Sequence, residues 1–396
     1  MLERNMIARS AAALFPQGRI AVSALFLLNG FTVGSWAPKI PVFAARLGLS
    51  SFHLGLMILV FGLGSLAAMP LIGALVARFG SARVVRLSSL LLVPALLVLT
   101  LAPTIALAAI AIFILGALEG GMDIAMNSNA VVVERRMRRA IMSSCHGFWS
   151  LGGLIGASLG GVLMAGLGAL GHVILVTLIG AAIVAYAWGN VEEDGPHPDE
   201  PHQPVRLPRS ILPYLLGIVA LFSMIPEGSV LDWGALYMRR ELGADLVLSG
   251  FGFAAFSATM ALMRFAGDPI RDRLGAVKTL RLCTVLALVG MLSAGLAPDA
   301  PVAIIGFAVA GIGISNMVPI AFSAAGNLPG LAPGIALSVV TFMGYSGILV
   351  APSLIGFIAE HTRFHVIFTV LPALFLVVLA LSGLARHADM ARSDDA

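Results

Sequence analysis

LVARFGSARVVR, residues 75–86, is followed 195 positions later by IRDRLGAVKTLR, residues 270–281. Both place a glycine between basic residues: Arg78, Gly80 and Arg83 in the first, Arg273, Gly275 and Lys278 in the second. A second pair, GFTVGSW (30–36) and EGSVLDW (227–233), lies 197 positions apart. Two offsets that differ by a small gap, each close to half the chain, indicate one architectural unit used twice.

The unit is built for lipid. Of 396 residues, 59% are hydrophobic and only 11% charged, where a soluble domain carries about a quarter charged residues. No soluble core could hide that apolar surface, so the solvent is a bilayer. The 44 glycines suit helices that pack closely without a hydrophobic drive between them. A span needs about 20 mostly apolar residues. That rule predicts runs near 18–38, 53–77, 83–102, 105–131, 140–164 and 170–189, then near 212–237, 247–270, 277–297, 301–326, 333–358 and 364–385. Between them lies a Pro- and acid-rich stretch with no apolar face. The expected architecture is an all-α membrane protein of twelve transmembrane helices in two pseudo-symmetric halves, 1–190 and 211–396, joined by a polar linker at 191–210.

Basic residues set the orientation. With the termini and linker on one side, that side holds Arg4, Arg9, Arg19, Arg78, Arg83, Arg86, Arg135, Arg136, Arg138, Arg139, Arg206, Arg209, Arg271, Arg273, Lys278, Arg281, Arg386 and Arg392. The other side holds Lys39, Arg46, Arg239, Arg240 and Arg363. Both termini are therefore expected in the cytoplasm, and the protein in the cell's inner membrane. The scattered basic residues act as topology signals, so the chain has no nucleic-acid partner. The first apolar run is long enough to span and is read as a retained helix, not a signal peptide. Cys145 and Cys283 make no metal or redox spacing.

The span plan, repeat and linker resemble the major facilitator superfamily, and particular residues strengthen the likeness. That family carries, after its second helix, a Gly, three residues, an Asp, a basic residue, one residue, a Gly and a further basic residue. Gly73, Arg78, Gly80 and Arg83 fit, but Ala77 stands at the Asp position. The second copy, Asp272, Arg273, Gly275 and Lys278, keeps its acid and is preceded by Arg264 and Asp268. The resemblance implies that these charges latch the cytoplasmic side when the carrier faces outward. It makes Arg78, Arg83, Arg264, Asp268, Asp272 and Arg273 gating candidates. The stretch 122–157 resembles the MosC-like branch, which includes YbjJ-type inner-membrane proteins. Asp123-x-Ala125-x-Asn127 is similar to the acid-x-Ala-x-Asn of helix four in fucose permeases, where the acid serves proton-coupled sugar uptake.

GALEGGMDIAMNSN, residues 116–129, puts Glu119, Asp123 and Asn127 four residues apart inside the fourth span. They share a helical face, which should meet water or protein and not hydrocarbon. Intramembrane acids of this kind are expected to couple a proton or bind a polar solute; a structural ion pair, for example with Arg264, is the competing reading. In SMIPEGSVLDW, Pro226 and Gly228 bracket Glu227, so the seventh span is expected to break there and line the site. Glu119, Asp123 and Glu227 are the proton-coupling candidates. Asn29, Thr32, Asn127, Trp149, Asp232, Asn316 and Tyr345 are the substrate-binding candidates, against simple interhelical hydrogen bonding. Arg264 and Asp268, one turn apart, can neutralise one another.

No HExxH, nucleophile elbow or phosphate loop is present, so no enzyme, metal site or cofactor is expected. The expected function is secondary transport of a small polar solute, sugar, polyol or cyclitol-like, by alternating access, coupled to protons. The alternative is a proton-coupled efflux antiporter for amphipathic or cationic compounds, with Met and Phe side chains lining an adaptable pocket. Ala351-Pro352 is the nearest counterpart of the Gly-Pro signature that such antiporters carry elsewhere. The expected partners are the solute, protons and the lipid bilayer, and the expected state is a monomer.

Overall fold

The computed structural model describes residues 16–49, 51–195, 207–244 and 246–389. The basic residues Arg4, Arg9, Arg206 and Arg392, and most of the predicted linker, lie outside them. Every regular element among the described residues is helical. The first run is α1 (Gln17–Trp36), followed by a 3₁₀ turn, Ala37–Lys39, and the short α2 (Ile40–Leu47). Next come α3 (Ser51–Phe79), a run broken at Val93–Pro94 into α4 (Ser81–Leu92) and α5 (Ala95–Leu101), and α6 (Ile105–Met137). Then α7 (Met142–Trp188) extends for 47 residues, or about 70 Å at 1.5 Å per residue, roughly twice the hydrocarbon thickness. Gly168, at φ 73 and ψ 169, interrupts it. One assigned helix thus supplies two spans.

The second series is α8 (Leu212–Glu241), α9 (Leu246–Leu274), α10 (Ala276–Gly295), α11 (Ala300–Ile314) with α12 (Met317–Gly326), and α13 (Pro333–His361). A last run, α14 (Phe364–Val370) with α15 (Ala373–Leu381), ends in a 3₁₀ segment, Ser382–Ala388. Among the described residues, ten segments are long and apolar enough to cross a membrane. The interruption of α7 adds an eleventh span. The twelfth is α9, whose apolar character is diluted by Arg264, Asp268, Arg271, Asp272 and Arg273. Large apolar side chains point outward, among them Leu71 (61% exposed), Val162 (72%) and Leu262 (71%). Such a surface is stable against hydrocarbon and not against water.

Two compact units emerge from the contacts. One holds residues 1–137 and 148–202; the other holds 138–147 and 203–396. In the first, α6 is the hub and packs on α3, α4, α1 and α5. In the second, α10 packs on α11, α8 on α13 and α9 on α11. The sequence repeat is also a repeat of close approaches. A Cβ added at Gly116 would lie 2.0 Å from Phe61 O, and one at Gly311 2.3 Å from Phe256 O. These pairs are 195 residues apart, and in both only glycine lets the backbones meet.

The repeated loop is duplicated down to its dihedral angles. Gly80 (φ 82, ψ 155) precedes α4, and Gly275 (φ 81, ψ 158) precedes α10. Each helix start takes its cap from an acid far along the chain. Asp194 Oδ2 and Oδ1 accept from Ser81 N (2.7 Å) and Ala82 N (2.9 Å). Asp389 Oδ1 accepts from Ala276 N (2.6 Å). These bonds satisfy amides that a helix leaves without intrahelical partners.

Two elements differ from expectation. The seventh span does not break at Pro226: α8 runs unbroken from Leu212 to Glu241. Proline removes one backbone donor, which a long membrane helix tolerates. The tenth span breaks instead, at Ser315–Asn316. Pro319 is four residues after Ser315 and has no N–H to offer its carbonyl.

Candidate transport site

Midway along α6, Gly116 and Gly120 let it approach α3 closely, and Glu119 and Asp123 flank Gly120. Glu119 and Asp123 are each 5% exposed and Asn127 is fully buried. Asn127 Nδ2 donates to Asp123 O (2.8 Å) and Asp123 Oδ1 (3.2 Å). Asp123 Oδ2 and both carboxyl oxygens of Glu119 are buried with no hydrogen-bond partner among the described residues. Asn29 of α1 ties the face to two other helices. Its Nδ2 donates to Glu119 O (3.2 Å), and its Oδ1 accepts from Trp149 Nε1 of α7 (2.8 Å). Asn29, Glu119, Asp123, Asn127 and Trp149 are thus linked in one first-unit cluster. Thr32 is buried but bonds back to Leu28 O (3.0 Å) in its own helix.

A carboxylate in a low-dielectric interior is stable only with a compensating charge or donors. Three oxygens here have neither. A proton, a cation or a solute hydroxyl would supply what is missing. Sequence periodicity did not single out Ser65 of α3, whose hydroxyl packs on Gly120 between the two acids.

The second unit holds a cluster of the opposite character. Arg264 of α9 pairs with Glu227 of α8 (Nη2–Oε1 3.4 Å), and both are largely withdrawn from solvent. Arg264 Nε also donates to Ser315 O (3.4 Å), the carbonyl that Pro319 leaves without a helical partner. Asn316, at the break, donates to Met263 O (3.3 Å) and Ser315 Oγ (3.0 Å), and its Oδ1 packs on Gly267. The structure brings Glu227, Arg264 and Asn316 into one neighbourhood. Asp232 is exposed at the far end of α8, and Tyr345 is half-buried on α13.

Asp268, one turn from Arg264, reaches the backbone of another helix. Its Oδ1 and Oδ2 accept from Ser143 N and Ser144 N, both at 2.9 Å, at the start of α7. Asp272 Oδ1 accepts from Ala140 N (2.9 Å) and Oδ2 pairs with Arg139 (3.6 Å). The two acids clasp residues 139–144, the entry to α7, which belong to the second unit by contact although the rest of α7 belongs to the first. The same positions in the first copy are Gly73 and Ala77, so that copy has no clasp to offer. Arg78, Arg83 and Arg273 are exposed, and Arg78 lies over the Phe79 ring (5.1 Å).

A twelve-helix, duplicated membrane architecture with buried charges mid-span defines the class: a polytopic membrane protein of transporter design. The major facilitator superfamily profile matches residues 22–234 and 216–394. A protein described as an uncharacterized MFS-type transporter of Yersinia pestis is 36% identical over 91% of this chain and 94% of its own length. The membrane protein MosC of Rhizobium meliloti is 32% identical over 86% of this chain and 83% of its own. Among solved structures, the major facilitator transporter FucP in its outward conformation superposes with a TM-score of 0.80 at 15% identity. That match covers 94% of this chain and 99% of FucP. This chain belongs to the major facilitator superfamily and is a multi-pass membrane transporter.

Proposed function

We propose that the protein is a proton-coupled secondary transporter of a small polar solute of sugar, polyol or cyclitol type. It resides in the inner membrane with both termini cytoplasmic, moves its solute by alternating access and acts as a monomer. One observation carries this reading: the acid–amide face of α6, where Glu119 and Asp123 present buried oxygens that lack donors. The fold it shares with FucP, described as the Escherichia coli fucose:proton symporter, supports the same reading. Asp123 takes the proton and its neighbours Asn29, Asn127 and Trp149 meet solute hydroxyls. Glu119 and Glu227 assist by exchanging partners as the protein changes state. A solute can drive that change only by binding the two states unequally.

The 1–190 and 211–396 halves move as the working parts, and the clasp of Asp268 and Asp272 on residues 139–144 is the gate. Release of that clasp frees the start of α7.

The test is transport by the purified protein in proteoliposomes under an imposed pH gradient. Solutes are chosen first by thermal stabilisation against sugars, cyclitols, amino sugars, amino acids and lipophilic cations. A ligand at a hundredfold its Kd adds about 2.7 kcal/mol to stability. Asp123→Asn is expected to abolish uphill accumulation while leaving solute exchange intact. Uphill accumulation that survives Asp123→Asn removes Asp123 from the coupling role. Stabilisation by lipophilic cations alone moves the assignment to an efflux antiporter.

A further inference from the structure

A groove of about 700 Å³ opens on the second unit between α8, α13 and the last helical run. Its walls are aliphatic: Leu221 and Ile225 from α8, Val350 and Leu354 from α13, Val366 and Val370 from α14. Val350 (59% exposed), Leu354 (54%) and Val370 (61%) face outward, so it is open to the surroundings. The two hydroxyls on its wall are already engaged: Ser346 bonds to Phe342 O (2.7 Å) and Thr362 to Ile358 O (3.1 Å). Nothing on the wall offers a polar solute a partner. Pro352 follows the lining residue Ala351 within α13, and the last helical run is broken at Leu371–Pro372.

The groove lies within membrane-spanning segments, where the available apolar molecule is a lipid chain. Thr362 of its lining adjoins Arg363 in sequence, and the side chains of His361, Arg363 and His365 are exposed. Glu241 of α8 accepts from Phe364 N and His365 N at the start of α14. Arg363 therefore offers an exposed guanidinium next to the lining residue Thr362, and guanidinium is the side-chain group best matched to phosphate.

We propose that this groove is a binding site for one phospholipid with an anionic headgroup. An acyl chain lies along α13, and the phosphate meets Arg363. The site is separate from the acid–amide cluster and does not depend on the transport assignment.

The test uses the full chain, reconstituted in bilayers of phosphatidylglycerol and phosphatidylcholine in equal amounts, then extracted in mild detergent. Native mass spectrometry counts the lipid that each chain retains. The wild type is expected to keep one phosphatidylglycerol in preference to phosphatidylcholine. Val350→Trp with Leu354→Trp fills the groove from outward-facing positions and should lower retention about fivefold or more. Arg363→Ala should retain lipid but lose the headgroup preference. Leu178→Trp, at another outward position on α7 (62% exposed), should change neither. Retention unaffected by the filled groove overturns the proposal, as does equal retention of both lipids by the wild type. Capture of a second copy of the chain in place of lipid overturns it as well.

Discussion

Glu227 and Arg264 form an ion pair that little water reaches, and such pairs are held less by attraction than by the cost of separating them. Removing one partner strands the other. Glu227→Gln is expected to destabilise the protein by about 3 kcal/mol, and a joint replacement with Arg264→Met should recover most of that loss. Denaturant unfolding of the single and double variants in detergent checks both numbers. A double variant no more stable than the single would mean that Arg264 is held mainly by Ser315 O. These residues were legible in the sequence as charges inside apolar runs, since an intramembrane charge stands out at any register. Their partners were not. Asn29 reaches Glu119 across 90 positions and Trp149 across 120, distances on which helical periodicity is silent. The four-residue spacing of Arg264 and Asp268 suggested a local pair, and it was silent on the tertiary partners each also finds, Glu227 for Arg264 and the Ser143 and Ser144 amides for Asp268.

Helix continuity at the site turns on which proline leaves a carbonyl with somewhere to go. Pro226 sits inside an unbroken helix. Pro319 lies just past a break, and the carbonyl it frees accepts from Arg264. Both prolines are equally visible in the sequence, and the guanidinium that distinguishes them comes from a different helix. Pro319→Ala restores an N–H within reach of Ser315 O and sets the backbone in competition with Arg264. Because the regained hydrogen bond is the one proline removes, that variant is expected to melt a few degrees higher and to transport about tenfold more slowly, equivalent to about 1.4 kcal/mol on the barrier. Thermal unfolding and initial transport rates measure the two effects, and a variant that is stabilised at full rate would deny the break any part in the cycle. The element count was readable because apolar length is a local property. The division of α7 at Gly168 could be placed only to within a few residues.

At the scale of the whole molecule the duplication is imperfect in one respect that bears on its motion. Asp268 and Asp272 hold residues 139–144 by four polar contacts. The equivalent helix start in the second copy, at Pro333, has Ala332 as its N-cap and no side-chain cap. The clasp is therefore expected to be held from one copy of the loop alone. Cys145, fully buried beside the clasped segment, is a native reporter of its release. In a Cys283→Ser background, Asp268→Asn with Asp272→Asn should raise the rate of maleimide labelling at Cys145 about tenfold, as a lowered local opening energy requires. An unchanged rate would show that apolar packing alone holds the segment. The missing acid at Ala77 was plain in the sequence. That residues 138–147 pack with the second unit was not, because composition does not report which neighbours a loop joins.

The two distant caps have a consequence for how the chain can be divided. Asp194 secures the start of α4 and Asp389 the start of α10, so in each tandem copy an acid just past the last span ties that copy's third span. Neither copy borrows this fastening from the other. A gene cut between codons 195 and 207 should therefore yield two polypeptides that each fold with their fastenings in place and, when co-expressed, reassemble into a working carrier. A cut before codon 194 should cost the first polypeptide its stability.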